Sequence, residues 1–106
     1  GILYSDKEAF DVVAVYEGEV LSITEDDIFG SIIEIKHTNN ITSKYSSVKD
    51  PKVSVGETVN KGEVIASSGK NKIVSETENM LLFELLYNGT NVNPDEYYDK
   101  DFNEMR

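Results

Sequence analysis

The residues able to do chemistry are few. The 106-residue chain has one histidine, His37, and no cysteine. Thiolate chemistry and a disulfide framework are therefore excluded. A catalytic zinc needs about three N, O or S ligands from the protein. A strand supplies two of them only at positions i and i+2, because alternate side chains share a face. The strongest strand signal is the apolar run Met80-Leu81-Leu82-Phe83-Glu84-Leu85-Leu86, which follows Ser75-Glu76-Thr77-Glu78-Asn79 and ends in Tyr87-Asn88-Gly89. Such a run, bounded by turn residues, predicts a central strand buried on both faces. Leu81, Phe83 and Leu85 share one face; Met80, Leu82, Glu84 and Leu86 share the other. The i and i+2 positions on that second face are Met80 and Leu82, and neither side chain binds zinc.

The elements that hold this strand follow from the rest of the chain. At 106 residues the length is that of one domain with a modest core. Lys plus Arg number 10 against 20 Asp plus Glu, a net charge of -10. That excludes nucleic acid, whose phosphates would be repelled, and adsorption to an anionic membrane surface. No run approaches the roughly 20 apolar residues of a membrane span, and no signal peptide is visible. Gly1-Ile2-Leu3 does not look like a natural start, so an excised domain is expected, with any anchor outside it.

Residues 1–10 show no period. Asp11-Val12-Val13-Ala14-Val15-Tyr16 reads as a strand, Glu17-Gly18 as a turn or bulge, and 19–24 as a half-buried strand. The acidic stretch 25–30 reads as a loop. Residues 31–38 and 41–48 read as a hairpin across Asn39-Asn40, since Asn tolerates the left-handed region. Pro51 belongs at a strand start or edge. Between Val53 and Gly69, Gly56 and Gly62 separate very short strands at tight turns. Residues 70–79 read as a polar surface loop. Asn88-Gly89 is the best hairpin turn in the chain. Asn93 and Pro94 suit the cap and first position of a short helical turn. Strands recurring every ~8–12 residues, with no sustained helical period, predict an all-β antiparallel sandwich or barrel. The expected division is a domain over 1–98 and a charged tail over 99–106.

Four blocks in this order resemble the M23 peptidase domain, also called the LytM or lysostaphin-type domain, with its duplicated hybrid motif. They are Asp11-Val12-Val13-Ala14 with Gly18 and Val20; Ile33-Glu34-Ile35-Lys36-His37 with Tyr45; residues 55–66 with Gly69; and Leu82-Phe83-Glu84 followed by Asn93-Pro94 and Tyr97. The third block alone is shared with biotinyl and lipoyl carriers. The resemblance implies a zinc endopeptidase fold that cuts cell-wall cross-bridges. It also implies where the ligands should stand. The family's His-x-His pair before Phe-Glu falls on Met80 and Leu82. Its Asp ligand falls on Leu3, and a further His precedes this chain. Its active-site His two residues beyond the hairpin tyrosine falls on Ser47. His37 matches a hairpin position that is not a ligand. The resemblance therefore implies a non-catalytic member with no metal and no cofactor. Glu84 stays beside the vacated site, where backbone or hydroxyl hydrogen bonds are expected to hold it, because a buried unpaired carboxylate is costly.

Residues 10–14, 28–35 and 45–50 are most similar to a sporulation branch of the family in endospore-forming Firmicutes. That branch is anchored in the forespore membrane and faces the space between forespore and mother cell. There it binds a ring-forming protein of the mother-cell membrane. The resemblance implies the same docking role, partner and location here. An exposed edge strand can accept a partner strand. The polar strand Ile41 to Val48 and the segment Pro51 to Val55 are the expected edges, with Tyr45, Ser46, Val48, Lys49 and Val53 as contact residues. Lys44, Lys49 and Pro51 suit such an edge.

Three other readings stay open. A degenerate domain of this family can activate a wall amidase through the vacated groove, which requires Met80, Leu82 and Ser47 to be exposed. An active zinc endopeptidase of peptidoglycan is the second. A carrier domain would use a turn lysine such as Lys61, but no Met flanks it. Asn40 and Asn88 match the N-glycosylation pattern within turns.

Overall fold

The structure, a computed structural model, describes residues 2–71 and 75–92. These residues form nine strands and, among them, no helix: β1 (Ile2–Asp6), β2 (Asp11–Val13), β3 (Gly18–Asp26), β4 (Gly30–Lys36), β5 (Ile41–Lys49), β6 (Thr58–Val59), β7 (Val64–Asn71), β8 (Ser75–Tyr87) and β9 (Thr90–Val92). All pair antiparallel in one sheet of order β1-β8-β7-β5-β4-β3-β6, with β2 added to β7 and β9 to β8. The sheet curls into a half-barrel, the all-β antiparallel class predicted from the strand spacing.

The core lines the inner face. Ile33 and Ile35 of β4, Ile41 and Tyr45 of β5, and Phe83 and Leu85 of β8 are buried together with Val12, Val20, Val59 and Ile65. Their alternation in sequence places them there. The turns behave as their residues require. Asn39 and Asn40 take φ of 60° and 64°, and Asn88-Gly89 takes 52° and 81° between Tyr87 and Thr90. Gly56 and Gly62 both have positive φ.

Four expectations are corrected. Residues 2–6, which lack an apolar period, form β1, because β8 supplies a ladder along their whole length, Ile2↔Phe83 to Asp6↔Asn79. The strand at 11–16 stops at Val13, where its register against β7 shifts. Residues 75–79, read as loop, are the first part of a 13-residue β8. β5 is interior rather than an edge: it pairs with β4 on one side and with β7 and β8 on the other. The helical turn expected at 93–98 and the tail at 99–106 lie outside the described residues.

Candidate functional site

β8 is the organising strand. It takes β1 and β9 along one edge and β7 and β5 along the other. The registers bring the four positions together. Leu82 stands opposite Leu3 on β1 and opposite Ser46 on β5. Met80, two residues back, stands opposite Ser5 on β1 and Gly69 on β7. Directly opposed residues point the same way, so Leu3, Leu82 and Met80 share one face of the sheet.

Ser47 reaches the patch through a bulge. Ser31 pairs with Val48 and Ile33 with Tyr45, so Ser46 and Ser47 together oppose Ile32. Two residues against one is the geometry of a β-bulge, and Ser47 carries its positive φ of 63°. The bulge presses Ser47 against β7. A Cβ on Gly69 would lie 2.5 Å from the Ser47 carbonyl oxygen. Only glycine fits there, which gives that residue of the third block its physical reason.

The donor set of this patch does not suit zinc. Leu3, Met80 and Leu82 offer two hydrocarbons and a thioether, none of them a side chain that zinc favours. Among the described residues no three His, Asp or Glu side chains converge on one point. Met80 and Ser47 are fully buried, Leu82 is half-buried and Leu3 is 43% exposed. The groove is thus filled at its Met80 end and leaves a small apolar shelf at Leu3 and Leu82.

Glu84 lies further along the same face. Its carboxylate accepts a hydrogen bond from the Asn91 side-chain amide, rather than from the backbone or hydroxyl donors expected. It also stands opposite Lys44, which in turn stands opposite Glu34. Ser22 Oγ donates to Glu34 at 2.9 Å. Half-burial at the polar end of the sheet makes these modest contacts sufficient.

The single histidine belongs to the other face. His37 is buried, with Nδ1 2.7 Å from the Glu17 carbonyl oxygen and Nε2 2.7 Å from Ser43 Oγ. A carbonyl oxygen only accepts, so Nδ1 carries the proton and Nε2 accepts from Ser43. Ser43 also meets the Tyr45 hydroxyl, whose oxygen accepts the Val15 N–H at 3.0 Å. The protons therefore run one way, Tyr45 to Ser43 to His37 to Glu17. Burial lowers the His37 pKa and pushes the Tyr45 phenol up to about 12. Tyr16 packs edge-on against the imidazole at 5.8 Å. Gly18 passes so close that a Cβ there would lie 2.8 Å from Nδ1. This chain of bonds was not foreseen from sequence. Its signal was Ile41, Ser43 and Tyr45 at spacing two, with the polar serine hiding the inward face.

The expected docking residues are placed as follows. Tyr45, Ser46, Val48 and Val53 are buried, and of the set only Lys49 is exposed. β5, which carries all of them but Val53, is covered on both edges, so the exposed edge expected at Ile41 to Val48 is absent. Of the serines on that strand, Ser43 is held by His37 and Ser47 lies against the backbone of Gly69.

A curled antiparallel sheet with a central long strand, its i and i+2 positions beside β1 and a bulge on β5, defines the class. Residues 1–94 match the profile of peptidase family M23, and the chain belongs to that family. Over 95 residues it is 32% identical to stage II sporulation protein Q of Bacillus subtilis strain 168, covering 90% of this chain and 34% of that relative. The chain thus spans about a third of the curated relative it matches. In a solved SpoIIQ–SpoIIIAH pore forming complex, the matching chain superposes with a TM-score of 0.85 at 30% identity, covering 92% of this chain and 62% of that one. The catalytic domain of the prophage-encoded M23 protein EnpA from Enterococcus faecalis superposes with a TM-score of 0.79 at 27% identity, covering 92% of this chain and 76% of that one.

Proposed function

We propose that this chain is a non-catalytic docking module, working outside the cytoplasm in a sporulation assembly. The observation that carries the reading is the set Leu3, Met80 and Leu82. The register brings these residues to one place, and none can hold the metal that family chemistry requires. The similarity to stage II sporulation protein Q over 90% of the chain supports the setting. By that similarity the partner is a ring-forming protein of the mother-cell membrane, as SpoIIIAH is the partner named in the solved complex. The chain then faces the space between forespore and mother cell, held in the forespore membrane by a segment outside these residues.

The amidase-activator reading needs exposed residues around the groove; Met80 is buried there, while Leu82 stays half-buried and Leu3 exposed. The test is capture from sporulating cells with metal analysis of the same sample. The expected result is a mother-cell membrane protein in the eluate, zinc well below one per chain, and intact wall peptides. Stoichiometric zinc together with peptide cleavage would end the proposal.

A further inference from the structure

We infer that the cleft between β1 and β2 receives an extended partner segment in which apolar side chains alternate with Lys or Arg. This inference rests on the docking reading and names the surface and the chemistry of its partner.

The cleft has a volume of about 410 Å³. That lies within the ~300–1,000 Å³ of ligand clefts. It opens on the face of β8 opposite Met80 and Leu82, because Leu81 and Phe83 line it. Tyr4 stands opposite Leu81 and forms one wall with it, while Val13 and Val15 form the other. Tyr4 and Val13 are each 42% exposed, so the apolar lining meets solvent. The cleft is built rather than loose. Phe10 N–H donates to Ser68 Oγ at 2.9 Å, and Ser68 N–H donates to the Phe10 carbonyl at 2.8 Å. Val15 N–H is held by the Tyr45 hydroxyl, and the Tyr45 ring packs on Phe83 at 5.4 Å.

Two further features choose the occupant. β1 ends the sheet order, and among the described residues β8 is its one ladder partner. Its outer backbone groups can therefore accept another strand, which would lay alternate side chains toward the cleft. The rim is anionic: Asp6 and Asp11 line it, and among the described residues no Lys, Arg or His does. An apolar floor under paired carboxylates selects apolar side chains flanked by cations. The net charge of -10 disfavours a second copy of the chain, an anionic lipid or a nucleic acid.

The probe is a fluorescein-labelled peptide Lys-Ile-Lys-Phe-Lys-Ile-Lys. Its controls carry Glu for each Lys, or Ser for each apolar residue. Anisotropy measures affinity, and 15N spectra of the chain locate the contact. The Lys-Ile-Lys-Phe-Lys-Ile-Lys peptide should bind at least about tenfold more tightly than either control. It should also shift the amides of Tyr4, Val13 and Leu81. A D6N/D11N double variant should lose most of the advantage over the Glu control. Val13→Asp should weaken binding about tenfold while keeping the wild-type circular dichroism. Equal binding of the three peptides, unchanged binding by both variants, or shifts centred elsewhere would overturn the inference. So would a dimer of the chain that the peptide displaces. Capture of the mother-cell partner by both variants at wild-type level would remove the cleft from docking while leaving the docking role intact. Failure of wild type to capture any partner, with peptide binding intact, would strike the docking reading alone.

Discussion

Lowering the pH should loosen this protein through His37. Its imidazole is buried with both nitrogens engaged, Nδ1–H on a carbonyl and Nε2 accepting from Ser43. Protonation puts a second N–H where Ser43 now donates. The serine must then turn its own proton away from the imidazole, and the bond it donates to Nε2 is lost. Burial depresses the folded-state pKa below the ordinary 6.5. The unfolded chain therefore binds a proton first as pH falls. Stability is complete above the unfolded value and declines below it, until the folded histidine titrates in turn. The steepest slope is about 1.4 kcal/mol per pH unit. Integrated from pH 7.5 to 5.5, the loss from this one group is at most about 1.4 kcal/mol. Carboxylates titrate as well, so the informative quantity is the difference from a H37Q variant, which cannot take up the proton. Urea unfolding at both pH values, followed by circular dichroism, supplies it. Wild type should lose about 1 kcal/mol more than H37Q across this range. Parallel pH dependences would refute the neutral, doubly bonded histidine.

Gly69→Ala should cost about 1–3 kcal/mol, since its Cβ would stand 2.5 Å from the Ser47 carbonyl oxygen and backbone must move; a thermal melt matching wild type would contradict the packed bulge. Tyr45→Phe should cost about 1–3 kcal/mol, because the Val15 N–H and Ser43 hydroxyl lose a buried partner. Its amide signature should be a faster-exchanging Val15, and unchanged exchange there would argue against the bond. Zinc added in excess should leave the melting temperature unmoved, because a ligand stabilises only the state it binds. A rise that grows with zinc concentration would reveal a site that the donor set does not suggest.

Much of the sheet was readable because its turns depend on few residues. Asn88-Gly89 and Asn39-Asn40 adopt the left-handed backbone that their side chains permit. Ile33 and Ile35 alternate as an inward face must. The resemblance singled out Leu3 and Leu82, residues 79 apart in sequence, and the β1–β8 register sets them opposite one another. The failures share one cause: composition was used as a proxy for exposure. Ser43, Ser46 and Ser47 made β5 look like a solvated edge, yet all three are buried. The Ser43 hydroxyl is satisfied across the β4–β5 hairpin by His37. β1 was missed for the converse reason. Its side chains are mostly exposed, so the pairing partner rather than its own pattern makes it a strand.

The central place of β8 has a consequence for how the protein is made. β1, β5, β7 and β9 all pair with it, and all but β9 precede it in sequence. Ile2 meets Phe83, so β1 is made long before the strand it pairs with. Until β8 arrives, the nascent chain has no ladder for β1 and lacks one side of β5. Closure across such a span is slow, and open strand edges are prone to mispairing meanwhile. The acidic composition, with its net charge of -10, keeps waiting chains apart.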